Sequence, residues 1–326
     1  MTPYDLGLAG AGWLGECLLK ELPRFPELRL AAVQDANAEL AEQVGRRYGS
    51  LWWGADYGDL LNLPGVDAVM ICTPNFCHAP QALAALEAGK HVLVQKPLAL
   101  TAAQARCVVD AADRTGKALV VDYSYRFLET IRWLEEALPR IGRVQSAAAR
   151  FHNIYGPGKP WCFSRAQSGG GALIDLGVHL IDLALALLRP RRSELTRAQF
   201  HGHHEVESDA RLELALDGVP LDIAVSWNAP MPQTEIGLIF EGERGRAAWQ
   251  NVDGSFFCFR TLLNGDVLVE RETALRDDTL RAFSAALRSG RAEPPDLRVY
   301  DVLDAAYAAV SGTESKAAAG SVPASR

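Results

Sequence analysis

The sequence predicts an α/β fold in two parts: a parallel sheet with helices on both faces, then an α/β part built on an antiparallel or mixed sheet. Two observations carry this. The first 120 residues alternate short apolar runs with amphipathic ones, the rhythm of βαβ units. From about 195 to 270 the runs are separated instead by turn signals, Asp217-Gly218, Glu243-Arg244-Gly245 and Asn264-Gly265-Asp266. At 326 residues, 48 % hydrophobic and 22 % charged, the chain has apolar material for two cores.

In chain order, strands are expected near 5–10, 28–34, 67–72, 91–94 and 118–122, with helices near 13–22, 37–48, 76–88 and 101–115 between them. After Tyr125 come a helix near 127–138, a strand candidate from Arg143 to Tyr155 and a loop rich in glycine and proline over 156–171. The apolar stretch GGGALIDLGVHLIDLALALL (169–188) reads as a helix, and helices near 278–289 and 299–310 close the chain. The shift in composition sets a domain boundary near 122, giving domains over 1–122 and 123–316 and a disordered polar tail over 317–326.

A net charge of −7 and a pI near 5.6 give no electrostatic footprint for nucleic acid or an anionic membrane, and neither is expected as a partner. The basic cluster Arg189-Pro-Arg-Arg192 follows a predicted helix C-terminus, where cations are favoured. Every long apolar run carries a charge, so no membrane span is expected. The opening LGLAGAGWLGECLLK has no basic residue before it, unlike a secretory signal. Six cysteines without a CxxC pair point to reduced thiols and a cytoplasmic location rather than disulfides or zinc.

Gly10-Ala-Gly12-Trp13-Leu14-Gly15 follows a predicted strand and opens a helix, and Asp35 stands twenty residues on, at the end of the next strand. In that setting the first glycine makes a tight turn, the second lets backbone approach a pyrophosphate, and the third lets helix and strand pack closely. The helix N-terminus offers N–H groups to the phosphates. This is the Rossmann arrangement. Asp35 would accept from the ribose hydroxyls and repel a 2′-phosphate, and no Arg or Lys follows at Ala36 or Asn37, so NAD is expected over NADP.

Two more loops leave the carboxyl ends of predicted strands, where open α/β sheets bind ligands. One holds Thr73-Pro74-Asn75 and His78; the other holds Gln95-Lys96-Pro97, whose lysine could polarise an oxygen at the bound cofactor. All of these are candidate cofactor contacts. At 100° per residue Asp175, His179 and Asp182 fall within about a 60° arc of one helix face, a polar stripe that reads as a pocket lining. Taken singly, each also has a plain structural reading: Asp175 at the helix N-terminus, His179 in the core, Asp182 paired on the surface.

Together, Gly10–Gly15, Asp35, Thr73-Pro-Asn, Gln95-Lys-Pro and GGGALIDLGVHLID resemble the glucose-fructose oxidoreductase, inositol dehydrogenase and rhizopine catabolism (Gfo/Idh/MocA) family over nearly the whole chain. The resemblance implies a Rossmann domain followed by an α/β domain whose open, largely antiparallel sheet often forms homodimers or homotetramers. It implies hydride exchange between a nicotinamide and a secondary alcohol or ketone of a sugar, cyclitol or related polyol. It places the catalytic lysine at Lys96, the aspartate at Asp175 and the histidine at His179. His179 is read as the base, with Lys96 stabilising the developing alkoxide and Asp175 orienting the imidazole or a substrate hydroxyl; the variant has Lys96 moving the proton.

Gln95 stands where the family usually has Glu, and Ser124 and Tyr125 where Asn and Arg are common. Candidate substrate contacts are Tyr123, Arg126, His152, Asn153, Tyr155 and Trp161, on or beside the segments leading to the catalytic helix. His201-Gly-His203-His204-Glu205 alternates along a strand, poor geometry for one ion, and no metal is expected. Two rival readings are a glycosidase using transient oxidation by held NAD and a dinucleotide-responsive regulator without catalysis. The joint presence of Lys96, Asp175 and His179 counts against the regulator.

Overall fold

The computed structural model describes residues 3–202 and 205–319, with side chains of the last helix described as far as Ser311. The first elements are β1 (Tyr4–Ala9), α1 (Trp13–Glu21), β2 (Leu28–Gln34), α2 (Ala38–Tyr48), β3 (Trp52–Gly54), α3 (Tyr57–Asn62), β4 (Ala68–Ile71), α4 (Asn75–Glu87), β5 (His91–Gln95), α5 (Ala102–Thr115) and β6 (Leu119–Asp122). There follow α6 (Glu129–Ala137), β7 (Val144–His152), α7 (Arg165–Ser168), α8 (Val178–Leu188), β8 (Ser193–His201), β9 (Asp209–Leu216), β10 (Val219–Ser226), β11 (Glu235–Gly242), β12 (Gly245–Asn251), β13 (Cys258–Leu263) and β14 (Asp266–Glu272). Helices α9 (Leu275–Ser289) and α10 (Arg298–Ala319) close the order.

The chain divides into two compact units. One comprises Met1–Leu128, Ala166–Gly169 and Ala274–Pro295; the other Glu129–Arg165, Gly170–Thr273 and Asp296–Arg326. The single boundary expected near 122 is therefore too simple, because α9 returns to the first unit. Its Leu280, Phe283, Ala286 and Leu287 share one core with Leu18, Leu19 and Phe25. The last helix runs to Ala319, three residues into the expected polar tail; 320–326 lie outside the described residues.

In the first unit the six strands are parallel, in the order β3-β2-β1-β4-β5-β6. Helices on both faces leave strands such as β4 (AVMI) and β6 (LVVD) buried at every position, hence their unbroken apolar reading. The order reverses between β1 and β4, so the loops after their carboxyl ends border a switch-point crevice. Strand β3 and helix α3, at three and six residues, are too short to show a period and were not expected.

The second unit is an eight-stranded sheet ordered β14-β13-β12-β11-β7-β10-β9-β8, antiparallel except for the parallel pair β7·β10. Strand β9 alternates strictly, with Leu212, Leu214 and Leu216 inward. Trp249 stacks on Phe259 at 4.5 Å between centroids and donates from Nε1 to Thr130 Oγ1 of α6 at 2.9 Å. The segment Arg165–Leu188 is, by length and a mean hydropathy of 1.9, apolar enough to cross a membrane. However, 78 % of its most apolar window is buried in the protein, as in a core helix.

Candidate active site

The turn after β1 is built around three glycines with different duties. Gly10 has φ +90°, and a Cβ there would lie 2.7 Å from the backbone of Cys72. A Cβ on Gly15 would lie 2.3 Å from Gly10 O, so the third glycine lets α1 close on β1. A Cβ on Gly12 would meet nothing within 4 Å. Gly12 is exposed and caps α1 with no side-chain hydrogen bond, which leaves helix N–H groups facing open space. A dinucleotide phosphate fits this cradle. Trp13 projects from it, 71 % exposed, and Leu14 is half-buried.

Asp35, at the end of β2, accepts from Ala11 N and Asn37 N, both at 2.9 Å. It therefore braces the glycine turn and keeps lone pairs for a ribose. Thr73 Oγ1 donates to Gln81 Oε1 at 2.6 Å, and Asn75 Nδ2 donates to Ser168 O at 2.9 Å. With those side chains engaged, the Thr73-Pro74-Asn75 segment offers a ligand chiefly the start of α4, capped by Pro74 without a side-chain bond.

Two of the expected cofactor contacts have buried side chains engaged within the protein. His78 is 1 % exposed, with Nδ1 2.7 Å from Pro97 O and Nε2 2.7 Å from Thr73 O, so both its ring nitrogens are turned to the loop backbones and not to open space. Gln95 is 3 % exposed and donates from Nε2 to Asp122. Lys96 follows it, half-buried, ahead of a cis bond to Pro97.

Asp122 is a residue that sequence reasoning passed over. It is fully buried at the end of β6 and also accepts from Ser124 Oγ (2.8 Å), Thr279 Oγ1 (2.6 Å) and Arg276 Nη1 (2.7 Å). A carboxylate ending a wholly apolar strand is the signal that could have found it. Tyr123, 3 % exposed, and Arg126, whose Nη1 lies 4.0 Å from Glu293, line a cavity of about 360 Å³ formed by first-unit residues including Val120, Ala282 and Ala286.

In the second unit the helix of interest begins as a π-turn over Leu173–Gly177 and continues as α8. The wider turn overturns the 100° spacing assumed from sequence at Asp175. Glu207, 6 % exposed, fixes the start: Oε1 accepts from Gly171 N (2.9 Å), Leu173 N (3.0 Å) and Tyr307 OH (2.9 Å). A Cβ on Gly170 or Gly171 would lie 1.8 Å from Tyr307 OH or Glu207 O respectively, which explains the glycine run. Burial pushes the Glu207 carboxyl above its ordinary value of 4.5, against the pull of its donors.

Asp175 is half-buried and accepts at Oδ2 from Trp227 Nε1 at 2.9 Å. His179 is 8 % exposed, with the Phe151 ring 6.4 Å away. Asp182 is fully buried rather than on the surface. Strand alternation puts Phe151 on one face of β7 and His152 on the other, where its Nδ1 is 3.8 Å from Glu235. His152 is thereby corrected: it shares the outer sheet face with Arg150 and Glu235, and burial holds its pKa below the usual value while Glu235 opposes this.

Asn153 is 9 % exposed; its backbone pairs with Ser226 O and Ala229 N, and its Oδ1 has no hydrogen-bond partner among the described residues. Tyr155 is 55 % exposed beside Phe256, and Trp161 is half-buried in the turn Pro160–Phe163. His203 and His204 lie outside the described residues, among which no group of three His, Cys, Asp or Glu is arranged to hold a metal.

Residues 5–123 match the family described as "Oxidoreductase family, NAD-binding Rossmann fold", and 137–248 match the "GFO/IDH/MocA C-terminal domain". Levoglucosan dehydrogenase of Pseudarthrobacter phenanthrenivorans is 32 % identical over 204 residues, 58 % of this chain and 52 % of that protein. D-glucoside 3-dehydrogenase of Escherichia coli is 35 % identical over 191 residues, 57 % and 54 % of the two chains. The chain spans about half the length of these two relatives. 4-Carboxy-2-hydroxymuconate-6-semialdehyde dehydrogenase of Sphingobium sp. is 38 % identical over 320 residues, 92 % of this chain and 94 % of that one. The solved structure of levoglucosan dehydrogenase with NADH superposes with a TM-score of 0.84 at 21 % identity, covering 96 % of this chain and 98 % of that one. A 3-ketoreductase from Actinomadura kijaniata with NADP gives 0.83 at 23 %, covering 94 % and 98 %. At these identities the structural likeness is one of fold.

Proposed function

Because the chain belongs to the GFO/IDH/MocA family of oxidoreductases, we propose that it exchanges a hydride between a nicotinamide cofactor and a CH–OH carbon of a sugar, cyclitol or sugar derivative. The observation that carries the reading is one face of the second unit. There His179 packs on Phe151 and Trp227 holds Asp175; nearby in sequence to Phe151, the buried Asn153 amide oxygen has no donor among the described residues. A polyol has hydroxyls to give such an acceptor.

When bound, the nicotinamide supplies hydride chemistry. His179 takes the hydroxyl proton, since an imidazole titrates near neutrality, and the Lys96 ammonium stabilises the alkoxide that a group of such high pKa would otherwise form at great cost. Asp175, held by the Trp227 indole, receives a substrate hydroxyl or steadies the imidazole. In the variant, Lys96 moves the proton and His179 binds.

Asp35 favours NAD(H) over NADP(H), because its carboxylate, anchored on Ala11 N, would meet a 2′-phosphate with like charge. Since Asp35 also braces the turn, the informative variant keeps an acceptor: Asp35→Ser with Ala36→Arg is expected to reverse the ratio of NADH to NADPH dissociation constants by about tenfold or more. An unchanged ratio would remove Asp35 from the ribose. Six free cysteines support a reducing, cytoplasmic setting, and the outer face of the eight-stranded sheet is the surface we assign to homodimer or homotetramer contacts.

A second reading has its own support in the relative aligned almost end to end, a semialdehyde dehydrogenase by name. An aldehyde in its hydrated or cyclic hemiacetal form presents the same H–C–O–H unit as an alcohol. One assay addresses both: NADH absorbance after adding NAD with polyols, cyclitols and aldoses, then with carboxylated semialdehydes. Reduction by the first group supports the leading reading, and reduction by the second alone replaces it. No reduction by either, with NAD bound, would sink both.

A further inference from the structure

The buried imidazole of His78 touches the backbones of both loops that follow β4 and β5.

Its geometry is specific. His78 sits in the first turn of α4 and is 1 % exposed. Its two ring nitrogens each approach a main-chain carbonyl at 2.7 Å, Thr73 O on one side and Pro97 O on the other. Thr73 opens the turn that leads into α4, and Pro97 is bonded directly to Lys96. One rigid ring therefore spans the two loops, with no flexible link in between.

We propose that His78 is a positioning residue that sets the Thr73 turn through Nε2 and the Lys96–Pro97 turn through Nδ1, so that cofactor binding and lysine placement depend on opposite nitrogens of one side chain. This rests on the reading of Lys96 and Thr73-Pro74-Asn75 as active-site elements. Two carbonyls ask for two N–H donors, which only the imidazolium has; burial and Lys96 oppose that charge and lower the ring's pKa, while the carbonyls favour it. A bridge through both nitrogens is therefore the imidazolium's, since the neutral ring donates from one nitrogen only.

The proposal is testable because two amides mimic the two nitrogens separately. In His78→Asn the amide nitrogen stands near Nδ1 and keeps the donor to Pro97 O; in His78→Gln it stands near Nε2 and keeps the donor to Thr73 O. The readouts need no substrate. One is the NADH dissociation constant by fluorescence. The other is the Lys96 methyl resonance in protein reductively methylated with ¹³C-formaldehyde, practicable because the chain has six lysines and Lys96→Arg assigns the peak.

Expected is a crossed result. His78→Asn leaves the Lys96 resonance in place and weakens NADH by about five- to tenfold, the worth of one hydrogen bond. His78→Gln shifts the Lys96 resonance and leaves NADH within about twofold. Parallel movement of both readouts in both variants, as a merely structural role would give, overturns the proposal, and so does no movement in either. If neither variant folds, ¹⁵N-histidine spectra of the unaltered protein decide: a ring N–H of His78 slow to exchange with water supports the bridge, and fast exchange overturns it. A protein that shows the crossed result but oxidises nothing in the substrate panel would sink the proposed function and leave this inference standing.

Discussion

At the residue scale the second unit holds its reactive groups through neighbours far away in sequence. The Trp227 indole N–H reaches Asp175 across fifty-two positions, and Phe151 packs on His179. His179→Ala is expected to lower turnover by about 10²–10⁴-fold while leaving the NADH dissociation constant nearly unchanged. Steady-state rates and a fluorescence titration check this; equal losses in both, with the fold intact, would take His179 out of the base role. Lys96, Asp175 and His179 were legible as candidates because their motifs are local in sequence. The duties of Gln95 and His78 were not, since a side chain's direction depends on partners such as Asp122 and Pro97 that no local pattern announces. The face carrying His152 was readable from strand alternation, given the register that sets Phe151 on the helix side.

At the element scale the start of the α8 helix depends on one buried carboxylate. The folded pKa of Glu207 lies above 4.5, so its contribution to stability is fully present below about that pH and is lost as pH rises through the raised value. Glu207→Gln has no such loss. The stability gap between parent and variant, taken from urea midpoints at a series of pH values, is therefore expected to narrow as pH rises from about 4. A gap that widens would mean the carboxyl is depressed instead. The long periodic helices and the turn-separated strands were readable beforehand. The π-turn was not, because LIDLG has the composition of an ordinary helix and only the Glu207 and Tyr307 contacts distinguish its beginning.

At the scale of the whole molecule the chain passes between its two units five times. Composition cannot display a helix that comes home after a hundred and fifty residues, which is why the domain boundary near 122 was incomplete. A fragment ending at Asp122 lacks Leu280, Phe283, Ala286 and Leu287 from its core, and deprives Asp122 of Arg276 and Thr279. Residues 1–122 alone are expected to show no cooperative melt by circular dichroism, while 1–128 linked to 274–295 recovers one. A sharp transition in the shorter fragment would mean that α9 is dispensable.

The late return of α9 also has a consequence in time. On a ribosome adding about 5–20 residues per second, Leu287 follows Asp122 after roughly 10–30 s. Throughout that interval the core that α1 and α2 share on one face of the first sheet lacks its third helix. Until α9 emerges, α1, which opens at the glycine turn, lacks the helix that shares its core, and the turn gains its settled frame only then.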